Sequence, residues 1–131
     1  MQDRPTAREL LEAVRTFLES DVVPVLDGPR KFHALVAANV LAIVGRELAT
    51  EEAELAAEWR RLATLVGGAA AEPPSGLQAL RAAVRDATAT LAERIRRGEA
   101  DRGAFGQAVR AHVRQTVLGK LRVANPRFLG S

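Results

Sequence analysis

Asn39 and Arg46 are the residues most open to a chemical role, because they interrupt a segment that is otherwise almost wholly apolar. Their spacing of seven residues puts both on one face of a helix. Polar groups on an apolar face need partners, since a buried amide or guanidinium left unsatisfied costs several kcal/mol. Two interpretations stay open. One is an internal network, with Glu47 or the acids of neighbouring helices, that sets the packing register; the other is a site for a small anionic or polar ligand.

The other residue types that carry chemistry form no catalytic or metal-binding pattern. His33 and His112 lie on different predicted helices, and neither belongs to a metal-binding spacing or a Glu-x-x-His motif. The absence of cysteine excludes disulfides, thiolate metal sites and a cysteine nucleophile. No serine lies in a Gly-x-Ser-x-Gly turn, and no glycine cluster matches a phosphate-binding loop. The sequence therefore predicts no enzyme activity, no cofactor and no metal ion.

The composition is typical of a single helical domain covering residues 1–131. Its apolar share of 47% is carried by Ala, Leu and Val, whereas aromatic residues make up only 4% and Tyr is absent. That mixture favours helices over strands. The amino terminus lacks the apolar stretch of a signal peptide, and the longest apolar run, 34–45, is shorter than the roughly 20 residues that cross a bilayer. We expect a cytoplasmic protein with no membrane partner.

The first predicted helix has clear start and stop signals. Thr6 and Glu9 have the spacing of a capping box, in which each side chain satisfies a free backbone N–H at the helix start. The helix should end near Asp21, because Pro24 disfavours the helical conformation of the residue before it. An apolar stripe at helical period lies between these two ends.

Two further helices are predicted before the middle of the chain. One covers 30–49, and the next begins after Thr50 as its N-cap and ends at Gly67. The first of this pair has almost no polar side, which indicates a central helix or one at a subunit interface. One arc of it is large and apolar, and another is a ridge of small residues that lets a second backbone approach closely: Phe32, Val36, Val40, Ile43 and Val44, then Ala34, Ala38, Ala42 and Gly45.

A Gly/Ala/Pro linker, 67–76, separates these three helices from a two-helix hairpin. The fourth helix is capped by Gly98, and the fifth covers 102–123. The tail 125–131 should be extended, with Phe128 available to dock on the bundle or on a partner. The predicted fold is therefore an all-α five-helix bundle, three helices plus a two-helix hairpin.

The net charge of +3 is unevenly distributed along the chain. Residues 1–66 carry 8 basic and 11 acidic side chains, whereas residues 67–131 carry 11 and 5. Pairs of arginines four residues apart, Arg81 with Arg85 and Arg110 with Arg114, would each lie on one helix face. Such faces suit nucleic acid, but nearby acids and the lack of aromatic platforms favour ordinary solvated surfaces.

The stretch from Arg30 to Glu47, RKFHALVAANVLAIVGRE, and the closing LRVANPRF resemble a bacterial family of unknown function. That family tends to occur beside or fused to aminoglycoside-phosphotransferase-like kinases and acyl-CoA dehydrogenases. The resemblance implies an accessory role near acyl-CoA or phosphotransfer metabolism, with one of those enzymes as partner. It also singles out six candidate binding residues: Arg30, Asn39, Arg46, Glu47, Asn125 and Arg127.

Three functional hypotheses follow, in order of preference. The first is a non-enzymatic accessory domain that binds another protein or itself through the apolar surround of the second helix and the tail. The second is a bundle that binds an acyl or phosphorylated metabolite at Asn39 and Arg46. The third is nucleic-acid binding through the basic second half of the chain.

Overall fold

The computed structural model describes residues 3–67 and 72–130, and these are helical wherever they have regular structure. Because the described residues contain no strand, the all-α prediction is confirmed. They contain four α-helices, not five: α1 Ala7–Phe17, α2 Gly28–Val66, α3 Leu77–Arg96 and α4 Gly103–Ala124. Shorter segments add a π-helical turn, Leu18–Val22, and two 3-10 turns, Val23–Val25 and Pro126–Leu129.

The chain divides into two compact units. The first comprises Met1–Thr50 and Val123–Ser131, and it holds α1, the amino-terminal part of α2 and the carboxy-terminal segment. The second comprises Glu51–Arg122, and it holds the rest of α2, α3 and nearly all of α4.

The second and third predicted helices are one continuous helix, α2, of 39 residues. The prediction of a break at Thr50 is therefore wrong. Instead of capping a new helix, the Thr50 hydroxyl donates a hydrogen bond to the carbonyl oxygen of Arg46, at 3.0 Å, one turn earlier. No glycine or proline lies between Gly45 and Gly67. Since each residue that extends a helix adds a backbone hydrogen bond without a new nucleation cost, one weak capping signal does not end it.

The start of α1 matches its sequence signals closely. The Thr6 hydroxyl oxygen accepts from the Glu9 backbone N–H at 3.2 Å, and a Glu9 carboxylate oxygen accepts from the Thr6 N–H at 2.9 Å. The capping box is therefore confirmed. At the other end, the π-helical turn carries the chain to Val22, one residue beyond the predicted stop.

The second unit contains a dense apolar core. Leu62 is completely buried, and a cluster of side chains from α2, α3 and α4 surrounds it: Trp59, Ala63, Leu80, Val84, Leu91 and Val109. Leu62 recurs at helical period with Trp59 along the predicted third helix, and Leu80, Val84 and Leu91 recur in the same way along the fourth. Periodicity decides burial only in part, because Val113 and Val117, which follow Val109 at the same period, are 47% and 49% exposed.

The structure describes only part of the predicted linker. Of the predicted linker 67–76, residues 68–71 lie outside the described residues, and the described remainder contains no helix or strand.

The prediction of an extended tail is wrong, because Pro126–Leu129 forms a 3-10 turn. Proline is preorganised for the first position of such a turn, and the backbone N–H of Phe128 donates to the Asn125 carbonyl oxygen at 3.1 Å. The Phe128 side chain is 72% exposed.

Candidate functional site

A cleft of about 670 Å³ lies within the first unit. Its size is within the range of pockets that hold small metabolites. Three segments line it: α1 and the π-helical turn, α2, and the end of α4 with the following 3-10 turn. The lining residues are Arg15 and Glu19, then Leu35, Ala38, Asn39, Ala42 and Arg46, then Ala124, Asn125, Pro126 and Arg127.

The contribution of α2 comes from a single face of the helix. Leu35, Asn39, Ala42 and Arg46 follow one another at spacings of three or four residues, so their side chains line successive turns. Ala38 lies on the same face and is 2% exposed, because its methyl group is covered within the unit. Because Ala38 and Ala42 are small, they leave open a part of the cleft that larger side chains at these positions would fill.

Arg46 already makes one structural hydrogen bond. Its Nε donates to the carbonyl oxygen of Val123 at 2.7 Å, in the last turn of α4. Carbonyl groups in that turn have no partner within the helix, and they form the negative end of its dipole, so a guanidinium there is stabilising. The internal partner of Arg46 is therefore a helix end, and not Glu47. Within the described part of the chain, its two Nη groups form no hydrogen bond and stay available to a ligand.

Three further polar residues of the cleft, Asn39, Asn125 and Arg127, are exposed. The Asn39, Asn125 and Arg127 side chains make no hydrogen bond or ion pair with any residue in 3–67 or 72–130. An amide open to a solvent-filled cleft is hydrated, so it carries no desolvation penalty. Burial of Asn39 on an apolar face, assumed from the sequence, is wrong, because that part of α2 borders the cleft instead of a core.

Arg15 adds a third guanidinium to the cleft, but acids on its own helical turns neutralise it. Its Nη1 lies 3.0 Å from a carboxylate oxygen of Glu19, and it also pairs with Glu12. The hydrogen bond from Arg15 lowers the pKa of the Glu12 carboxyl. Sequence reasoning missed Arg15 and Glu19, although their spacing of four residues predicts the ion pair itself. With Arg15 paired, Arg46 and Arg127 leave the lining with excess positive charge.

Four of the six candidate binding residues meet at this cleft, and two do not. Asn39, Arg46, Asn125 and Arg127 line it together. Arg30 lies exposed at the start of α2, away from the lining residues. Glu47 is exposed on a different face of α2, about 100° from Arg46.

The first unit also leaves most of its large apolar side chains in water. Ala38 is the one buried apolar residue among its described residues. A stripe on α2, here called the valine seam, consists of Val36, Val40 and Val44, which are 43%, 49% and 37% exposed. The other large apolar residues of this unit that are exposed are Leu10, Val14, Phe17, Val25, Phe32, Leu35, Leu48, Phe128 and Leu129.

Several polar groups of the second unit make structural contacts within it. Arg61 donates from Nε to His112 Nδ1 and from Nη2 to the Thr116 hydroxyl, both at 3.4 Å. Burial lowers the pKa of His112, and the positive charge of Arg61 lowers it further, so the imidazole is an uncharged acceptor. Arg81, one of the candidate nucleic-acid residues, pairs with Glu51 at 2.6 Å. The described residues contain no group of three potential ligands that could hold a metal ion.

Comparison with known proteins yields one family and no individual relative. No curated protein and no solved structure matches the chain significantly. A family model described as a domain of unknown function, DUF6285, matches residues 24–128, which include α2, α3, α4 and every cleft residue except Arg15 and Glu19. Because this match covers most of the chain, the protein belongs to the DUF6285 family, whose function is unknown.

Proposed function

We propose that the chain is a non-enzymatic protein-interaction domain that binds another protein through the apolar surface of its first unit. One observation supports this proposal above the others. Of fifteen large apolar residues exposed in the described structure, twelve belong to the first unit, which buries only Ala38 among its apolar side chains. The second unit, with its own core, leaves three exposed.

Exposed apolar area favours association because its removal from water contributes about 25 cal/mol per Å². Soluble monomers rarely leave a large continuous apolar patch in water, and such patches mark binding surfaces. The valine seam and the neighbouring Phe32 offer a rigid surface of this kind, because they lie on one long helix. A partner that covers them would supply the core that the first unit lacks.

A membrane is the main rival to a protein partner. By length and composition α2 qualifies as a candidate membrane span, the one found among the described residues, and 11% of its most apolar window is buried. A span of roughly 20 residues centred on the apolar run 34–45 would include Asn39 near its middle, and Arg46 and Glu47 within its length. A charged residue within a bilayer costs about 2.5–3.5 kcal/mol even on the lowest scales. These polar residues favour a protein surface over lipid.

Site-specific cross-linking tests the proposal in the native host. With p-benzoylphenylalanine in place of Val40, irradiation should give one cross-linked product of defined mass. The same substitution at Val113 is a matched control, because Val113 is 47% exposed but belongs to the second unit. Equal products from both positions, or none from Val40, would contradict the proposal. The mass also distinguishes a second copy of this chain from the partners that the resemblance implies, a kinase-like protein or an acyl-CoA dehydrogenase.

The cleft supports a second candidate function, the binding of a small organic anion such as an acyl or phosphorylated metabolite. The free Nη groups of Arg46 and the guanidinium of Arg127 suit a carboxylate or phosphate, and both asparagine amides can donate to it. Leu35, Ala42 and Pro126 offer an apolar wall for the remainder of such a molecule.

Thermal unfolding with inorganic phosphate or coenzyme A as probe tests this candidate. A ligand at ten times its dissociation constant stabilises the folded state by about 1.4 kcal/mol, so the melting temperature should rise above that in chloride of equal ionic strength. Arg127→Leu should remove this rise with little effect on the chain alone, because its side chain is exposed. Arg85→Leu, on the second unit, should retain it. Arg46→Leu is a poor probe, since it also removes the contact to the end of α4. A rise unaffected by Arg127→Leu would place the anion elsewhere.

A further inference from the structure

We infer that the partner of the first unit is a second copy of this chain, bound through antiparallel α2 helices about a two-fold axis at Val40. This inference rests on the proposed interaction function and names its partner. The three steps that support it are the symmetry of the exposed face, its charges and its small flanking residues.

The exposed face of α2 is symmetric in sequence about Val40. At 100° per residue, His33, Val36, Val40, Val44 and Glu47 form one line along the helix, and all five are exposed. Val36 and Val44 lie four residues on either side of Val40, and His33 and Glu47 lie seven on either side. The line is about 21 Å long, at 1.5 Å per residue. It has an apolar middle and one polar residue of a different kind at each end.

A two-fold axis at Val40 makes this line complementary to itself. In an antiparallel pair, Val40 meets Val40 of the second copy, and Val36 meets Val44 of the second copy. The same symmetry brings His33 beside Glu47 of the second copy, twice in the dimer. Because such an interface presents the same patch from both copies, every apolar group of the line meets another.

The charges favour the antiparallel arrangement over the parallel one. Parallel helices in register would place Glu47 against Glu47, and like charges that face each other are destabilising. Glu47 makes no ion pair with any residue in the described part of the chain, so its carboxylate is available to an imidazole of the second copy. The His33 ring lies edge-on to Phe32, with ring centroids 5.7 Å apart, and so extends the apolar surface beside the seam.

The residues that flank the line also fit close helix packing. Ala37 and Ile43 lie on opposite flanks of the line, about 60° either side of Val40, so the axis brings the small Ala37 beside Val44 of the second copy and Ile43 beside Val36 of the second copy. Pairs of helices approach to about 8–10 Å between axes when small and large side chains interdigitate in this way. Phe32 and Leu48, 63% and 54% exposed, extend the apolar surface at opposite edges of the interface.

Single cysteines test the register, because the natural chain has none. Sedimentation equilibrium of the unchanged chain should show a dimer. Val40→Cys should then form an intermolecular disulfide on mild oxidation, because residue 40 meets its own copy at the axis. Val36→Cys alone and Val44→Cys alone should not, since in each dimer the two equivalent cysteines are about 12 Å apart along the helices. A mixture of the Val36→Cys and Val44→Cys chains should cross-link. Unchanged circular dichroism of each reduced variant shows that it is folded.

The alternatives give different results. Equal self-cross-linking at positions 36, 40 and 44 would mean a parallel pair and overturn the register. A monomer that cosediments with phosphatidylglycerol vesicles would overturn the inference in favour of a membrane. A monomer whose position 40 cross-links to another protein in the host would overturn the second copy while leaving the interaction function intact.

The charges supply an independent test by exchange. Glu47→Lys should raise the dimer dissociation constant about tenfold, because it removes both carboxylates that accept from the His33 imidazoles across the interface. Combining it with His33→Glu reverses the pair and should restore association to within about threefold of the original value. Glu52→Lys, an equal change in net charge at an exposed residue off the line, should have little effect. A double variant that associates no better than Glu47→Lys would overturn the predicted pairing of His33 and Glu47.

Discussion

Leu62→Ala should lower the free energy of unfolding by about 3–5 kcal/mol, a large fraction of the roughly 5–15 kcal/mol by which native domains are stable. Leu62 is 0% exposed and packs among side chains of the apolar core of the second unit. Removing its branched end loses the transfer free energy of the deleted carbons and leaves a cavity that a packed surround does not refill. Urea unfolding measures this loss, and Trp59 in the same core supplies a fluorescence probe.

Leu10→Ala is the matched control for that experiment. It makes the same change of side chain on α1, where Leu10 is 53% exposed. Because little apolar surface is buried there, the expected loss is about 0.5 kcal/mol or less in the free chain. If both variants lost equal stability, the core around Leu62 would not be the main source of folding free energy.

Gly106→Ala should also lower the free energy of unfolding, with an expected loss of about 1–3 kcal/mol or more. A Cβ at position 106 would overlap the backbone carbonyl oxygen of Ala100, at the turn between α3 and α4. A backbone atom cannot move aside as the end of a flexible side chain does, so α4 or the turn itself would have to shift. The close approach therefore requires glycine, independently of backbone conformation.

Gly45→Ala serves as the control for Gly106→Ala, and it should change stability in the opposite direction. Gly45 is also helical, but nothing lies within 4 Å of the point that an alanine Cβ would occupy there. Alanine should stabilise α2 by about 0.5–1 kcal/mol, because it restricts the unfolded chain and favours the helix. Thermal unfolding followed by circular dichroism compares the two variants. If Gly45→Ala also lowered the stability of the chain, steric overlap would not by itself explain the loss at Gly106.

The two units contribute differently to folding and to binding. The second unit holds the buried side chains on which stability depends. The first unit holds the cleft and the valine seam, and its described residues bury little. Substitutions in the second unit should therefore act on folding, whereas those at Val40, Glu47 or Arg127 should act on binding. Variants at these three positions should therefore change binding while the chain stays folded.

Local features of the sequence determined much of the helical structure. The capping box at Thr6 and Glu9 depends on residues three apart, so it is complete within one turn of chain. The buried faces at Leu62 and Leu80 follow from apolar spacing along single helices. The common face of Asn39 and Arg46 follows from the same geometry. The misplaced end at Thr50 shows the limit of such signals, since a capping residue competes with continuation of the helix and can lose.

Only the tertiary structure decided which distant segments lie beside the face of α2 that carries Asn39 and Arg46. The partner of Arg46 is the Val123 carbonyl oxygen, 77 residues later in the chain, and the cleft also requires Arg15 on α1 and Arg127 on the last turn. No spacing rule connects such distant positions; Asn125 and Arg127 were identified by resemblance to a family and not by periodicity. Periodicity states which side of a helix is apolar, but not which distant segment packs beside it. For that reason the sequence by itself determined most of the helical segments and the common face of Asn39 and Arg46, and the fold alone brought four candidate residues into one cleft.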